Sequence, residues 1–211
     1  ATPAETVRLL GTARVEVKKD ARFFATPTFV WTEANPGAPG LSVVSPIHRF
    51  ANAYVPSKGG MRVSLLRSKE GDDKGVGIYL EEAGRWWYSG GKRDGAYISG
   101  YTVHPVGLAL MRDSTPPDIG RPTVRPHPAG HRLFIPMHDA GSGIRKVSVT
   151  LNGEEIHGEH QRAWKQFVYL PSKPLAPGPQ RISVYARDRA GLETRQDMTV
   201  EWPKNIEGSV E

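Results

Sequence analysis

The chain has no cysteine, which removes disulfides, thiolate catalysis and cysteine-based zinc sites while leaving the redox compartment open. It has no uninterrupted apolar run of the roughly 18 residues that a membrane-spanning helix needs. No stretch keeps apolar residues at i, i+3, i+4 and i+7 long enough to predict a helix. Concentrated charge is missing too. The net charge of +6 is shared evenly by the two halves, whereas a nucleic-acid binder gathers its cations on one face or arm. That spread implies general solubility with mild attraction to anionic surfaces, and no nucleic-acid partner is expected. Nor does the chain open on methionine or a signal-like apolar segment, so Ala1 is read as the start of a processed form or an excised fragment.

Turn chemistry is plentiful. With 23 glycines and 18 prolines in 211 residues, and 38% hydrophobic residues, the composition favours many short strands with wet outer faces over long helices. Five prolines (Pro116, Pro117, Pro122, Pro126 and Pro128) crowd the segment 113–130, where neither a helix nor a central strand is expected. Pro116–Pro117 is taken as a junction, giving a β-rich, sandwich-like domain over 2–115, a second β-sandwich over 116–203, and a tail over 204–211.

Downstream of that junction, period-2 alternation is clear. Leu133, Ile135 and Met137 share one side of a strand; Val147, Val149 and Leu151 share another. Ile182, Val184 and Ala186, then Met198, Val200 and Trp202, repeat the pattern, which indicates antiparallel sheets. Asn152-Gly153 predicts a two-residue hairpin turn with positive φ at both positions, and "SKPLAPGPQ" suits a surface crossing better than a strand. Upstream, Ala13, Val15 and Val17 alternate, and "ARFFATPTFVW", "LSVVSPI" and "MRVSLLRS" are candidate strands. "GVGIYLEEAGRWWYSGG" reads as a hairpin turning at Glu82-Ala83-Gly84, and "AYISGYTVHPVGLALMRD" supplies one or two further strands.

The chemical motifs fail on inspection. Ser142 has Ala140 and Ile144 where a nucleophile elbow needs glycines, and a strand follows it instead of a helix. "GGKRDG" follows Lys92 with Arg93 and has Trp86 where a phosphate loop needs its first glycine. His127, His131 and His138 are the candidate ligands of a metal-dependent hydrolase, the rival enzymatic reading. His157 and His160 stand at i and i+3, which point to opposite faces of a regular strand. Solvated surface histidines are the preferred interpretation. Asp139 and Asp188 head glycine-containing turns and are the candidate calcium ligands. Each is expected to cap its own turn, without meeting the other closely enough to hold a cation. No metal or other cofactor is therefore expected.

Aromatic residues offer the strongest binding signal. Trp86 and Tyr88 share one face of their strand and Trp87 takes the other, with Tyr79 on the partner arm. A carbohydrate- or peptidoglycan-binding platform of Trp86, Trp87, Tyr88 and Tyr79 requires that one of the first three be exposed.

"DAGSGI" followed by "VSVTLNG", and later "ISVYARDRAGLET", resembles bacterial immunoglobulin-like and fibronectin-type-III-like domains of secreted proteins. The matching residues are Asp139, Ser142, Gly143, Ile144, Gly153, Ala186, Asp188, Ala190 and Gly191, with Leu192 where asparagine is usual. This resemblance covers the second domain and implies fold, not ligand. The layout, a β-rich unit ending "GLALMRDSTPP" before such a domain, is also similar to accessory C-terminal regions of large bacterial envelope proteins, including lysostaphin-type zinc peptidases. The His-x-x-x-Asp and His-x-His ligand motifs of those peptidases have no match here. The resemblance thus implies a non-catalytic accessory or interaction module of an extracytoplasmic protein, in the periplasm, on the outer surface or secreted. Its implied partners are cell-wall or surface glycan and a catalytic domain of the same parent chain.

Overall fold

The computed structural model describes residues 4–9, 11–18, 30–50, 60–67, 72–104 and 107–204. Within them the fold is all-β: twenty strands in four antiparallel sheets, with a single 3₁₀ turn at Arg162–Trp164 and no α-helix. The chain divides into two compact units. One comprises Ala1–Thr115, Ala140–Ser142 and Arg189–Gly191; the other comprises Pro116–Asp139, Gly143–Asp188 and Leu192–Glu211.

The first unit holds β1 (Ala4–Leu9), β2 (Ala13–Lys18), β3 (Val30–Glu33), β4 (Leu41–Val43), β5 (Ile47–Phe50), β6 (Met61–Leu66), β7 (Val76–Glu82), β8 (Arg85–Gly90), β9 (Lys92–Asp94), β10 (Tyr97–Thr102) and β11 (Gly107–Asp113). One sheet runs β1-β2-β6-β10-β9 and the other β3-β5-β11-β7-β8, with β4 also paired to β11. Alternate residues make the main core: Ala13, Val15, Met61, Val63, Leu65 and Ile98 from the first sheet meet Phe50, Val76, Ile78, Leu108 and Leu110 from the second. The intervening residues of the second sheet are also buried, with Ile47, Tyr79, Ala109 and Met111 forming a smaller cluster on its other side. Burial on both sides explains why "GIYL" and "GLALM" are continuous apolar runs instead of alternating ones. The candidate strand in "ARFFATPTFVW" lies outside the described residues apart from Val30 and Trp31, which open β3.

The second unit holds β12 (Asp118–Ile119), β13 (Thr123–His127), β14 (Gly130–His138), β15 (Ile144–Leu151), β16 (Glu154–Ile156), β17 (Glu159–Gln161), β18 (Gln166–Tyr169), β19 (Gly178–Asp188) and β20 (Glu193–Trp202). One sheet runs β12-β14-β18-β17, with β13 also on β14; the other runs β16-β15-β19-β20. Leu133, Ile135, Met137 and Phe167 from one sheet share a core with Val149, Leu151, Ile182, Val184, Ala186, Val200 and Trp202 from the other. Asn152 and Gly153 turn between β15 and β16 at φ 54° and 88°, as the Asn-Gly pair predicted. The proline-rich segment holds no helix and no central strand, as expected: β13, which carries Pro126, pairs only with β14 and so loses no second ladder at the proline. One local reading needs correction. The surface crossing ends three residues earlier than expected: Gly178, Pro179 and Gln180 already pair with Trp202, Glu201 and Val200. Beyond Lys204 the expected tail lies outside the described residues.

Candidate functional site

The β7–β8 hairpin turns at Ala83 and Gly84, both with positive φ (50° and 75°), and sets Tyr79 opposite Tyr88, Leu80 opposite Trp87 and Glu81 opposite Trp86. Directly paired residues of antiparallel strands point to the same side. Trp86 and Tyr88 therefore lie on the outer side of the second sheet, packed with Tyr79 against the Ile47–Met111 cluster. Tyr79 is fully buried and meets the Tyr88 ring edge-on at 5.3 Å, so it supports the platform from beneath instead of widening it. Trp87 turns to the opposite side and is 53% exposed.

A second tryptophan on this outer side escaped sequence reading. Trp31 on β3 stands opposite Arg49 on β5, which stands opposite Gly107 on β11. Continuing the Leu108–Leu80 register by one residue brings Gly107 beside Glu81, itself paired with Trp86. Five neighbouring strands thus carry one row: Trp31, Arg49, Gly107, Glu81 and Trp86. The Arg49 and Glu81 side chains close over Gly107: a Cβ there would meet Arg49 Nη1 at 2.6 Å and Glu81 Cβ at 3.4 Å, so a glycine lets them join across the middle strand. Trp31 is 45% exposed and Trp86 half-buried.

Arg49 ties the floor of the row together. Its Nε donates to Glu33 Oε2 at 2.9 Å and its Nη1 donates to Glu81 Oε2. Trp31 Nε1 donates to Glu33 Oε1 at 2.8 Å, and the Gly84 N–H donates to Glu81 Oε1 at 2.8 Å. The Trp31 indole and then Arg49 hold the Glu33 carboxyl below its usual range; Arg49 does the same for Glu81. The two carboxylates in turn raise the guanidinium, Glu81 more than Glu33. Glu33, Arg49 and Glu81 together carry one net negative charge at neutral pH.

The histidines do not converge. His127 accepts the Ala129 N–H on Nδ1 at 3.2 Å and lies 2.6 Å from Arg132 through Nε2. His131 is buried edge-on to Trp202, and His138 pairs with Asp118 at 3.4 Å. His157 follows β16 and His160 lies in β17, on different sheets. Among the described residues no group of three or more metal-ligating side chains includes a histidine.

Asp139 and Asp188 each cap a turn as expected: Asp139 Oδ1 accepts the Gly143 N–H at 2.7 Å, and Asp188 Oδ1 accepts the Leu192 N–H at 2.8 Å. The fold brings an oxygen of each within 4.8 Å of the other. Ser142 is buried and structural: its N–H donates to Asp113 Oδ2 at 2.6 Å, and its hydroxyl accepts the Ala190 N–H at 3.0 Å.

No protein-family model matches the chain, and no curated protein matches it significantly.

Proposed function

We propose that the chain is a non-catalytic accessory module of a bacterial extracytoplasmic protein, and that the outer side of its second sheet binds surface glycan. The single observation that carries this reading is the row that places Trp31 and Trp86 at either end of a hydrogen-bonded Arg–Glu floor. Aromatic faces stack on the apolar C–H faces of sugar rings, while an ordered ionic floor offers hydroxyl groups both donors and acceptors. The exposed ring of Trp87 points to the opposite side of the sheet and takes no part in this row.

Both units are read as β-sandwiches joined through the proline-rich segment, the second of immunoglobulin-like type. The strand order supports the type, because β14, β17 and β18 fall in one sheet and β15, β16, β19 and β20 in the other around one core. The accessory role draws on the way the chain spends the polar groups that catalysis would need: Ser142, Asp113, Asp139 and Asp188 all hold turn backbone.

Pull-down of the full chain on insoluble peptidoglycan and on insoluble neutral polysaccharide tests the proposal. Binding to at least one matrix is expected, with Trp86→Ala reducing the bound fraction several-fold. Equal retention of wild type and variant, or retention of neither, overturns it.

A further inference from the structure

The outer row contains more than a pair of aromatic rings: its length and charge specify a ligand. Trp31 and Trp86 sit on strands separated by four inter-strand steps. At about 4.8 Å per step their backbones stand about 19 Å apart, the reach of a linear oligosaccharide of about four rings. The tryptophans close the two ends, and the ionic floor of Glu33, Arg49 and Glu81, which closes over Gly107, lies between them.

Charge decides the class of sugar. Arg49, the cation in the row, already donates to two carboxylates, one on each side. A uronate or sulfate approaching the floor would meet net negative charge and a guanidinium whose partners are already placed. Neutral hydroxyl and acetamido groups carry no such penalty. A hydroxyl can donate to the outer lone pairs of Glu33 or Glu81 while accepting from a remaining Arg49 N–H. Glu33 and Arg49 keep part of their side chains open, at 46% and 25% exposure, so these groups are reachable.

Resting on the glycan-binding reading above, we infer that the row Trp31–Arg49–Gly107–Glu81–Trp86 is an extended subsite for a neutral, linear oligosaccharide of about four rings, laid across the strands, and that it discriminates against polyanionic glycans.

Titration of the full chain with tetra-N-acetylchitotetraose, cellotetraose, their disaccharides and tetragalacturonate, followed by tryptophan fluorescence and calorimetry at physiological salt, tests this. At least one neutral tetrasaccharide should bind about tenfold or more tighter than its disaccharide and than tetragalacturonate. Trp31→Ala, at an exposed position, and Trp86→Ala should each weaken the tetrasaccharide about tenfold and erase its advantage over the disaccharide, with thermal melts confirming that each variant folds. Equal binding of disaccharide and tetrasaccharide, an unaffected Trp31→Ala, or preferred binding of the uronate overturns the inference. If insoluble glycan is still retained through Trp86 in any of those cases, the proposed function stands and only the extended neutral subsite fails. If no glycan binds in either format, both fall.

Discussion

At the residue scale, Gly141 and Asp113 show how little room a single buried carboxylate leaves. Asp113 is 1% exposed and accepts the N–H groups of Ser142 and Thr115 at 2.6 and 3.1 Å. A Cβ at Gly141 would stand 2.2 Å from Asp113 Oδ2 and 2.3 Å from both its Cγ and its Oδ1, so even alanine must displace a carboxylate that has nowhere to go. Gly141→Ala should cost about 1–3 kcal/mol by overpacking. Asp113→Ala should cost a similar amount, about 1–3 kcal/mol, by leaving the buried Ser142 N–H without its acceptor. Chemical denaturation of each variant measures these losses; wild-type midpoints would show that the contacts are unimportant. The Asp139 cap was legible in sequence because its acceptor and donor are four residues apart. The role of Asp113 was not, because its partner Ser142 lies 29 residues away and pattern reading sees only neighbours.

At the element scale, the two hairpins differ in how well their turns suit the residues in them. Asn152-Gly153 is the favoured pair for positive φ, and the asparagine adds bonds: Nδ2 donates to Gln180 Oε1 at 2.6 Å and Oδ1 accepts the Arg181 N–H at 2.9 Å. Ala83 occupies the equivalent strained position at φ 50°, where a Cβ carries a penalty of roughly 1–2 kcal/mol. Ala83→Gly or Ala83→Asn should therefore raise the stability of the first unit by up to about 1 kcal/mol, whereas Asn152→Ala should lower that of the second by about 1–2 kcal/mol. Thermal melts read both signs, and an Ala83→Gly variant that melts lower than wild type would contradict the strain argument. Strand existence followed from periodicity wherever one side faces the core, as in β14, whose Leu133, Ile135 and Met137 are all buried. It was less legible where both sides are covered. There the apolar run of β7 loses its alternation, so the sequence could not say which side carries Trp86.

At the scale of the whole molecule, two imidazoles with lowered pKa values shape stability against pH, His48 buried and His160 half-buried. His48 is 2% exposed, its Nε2 lies 3.1 Å from Thr12 Oγ1, and burial pushes its pKa below the ordinary 6.5. Burial, and then the nearby Arg162 charge, lower that of His160. A lowered histidine pKa means that the unfolded chain takes up the proton first. The native state therefore keeps its full margin above about pH 6.5 and loses stability as pH falls below it, by at most about 1.4 kcal/mol per pH unit per histidine, until the folded-state pKa is passed. His48→Gln should flatten that slope between pH 7 and pH 5.5, checked by denaturation midpoints at each pH; an unchanged slope would exclude His48 as its source. Glu33 and Glu81 act in the acid range. Their depressed values stabilise the fold above the ordinary carboxyl pKa near 4.5, and that contribution disappears as pH falls through the folded-state values.

The sequence by itself determined the all-β class, the Asn-Gly turn and the alternating core strands of the second unit. Each is set by a local rule: period-2 burial, positive φ, or a carboxylate capping the turn that follows it. Only the tertiary structure decided that Trp31 joins Trp86 across five strands, that Arg49 and Glu81 close over Gly107 between them, and that Asp139 approaches Asp188. These depend on strand order and register, which bring together residues tens of positions apart. No spacing rule along a single strand contains that information.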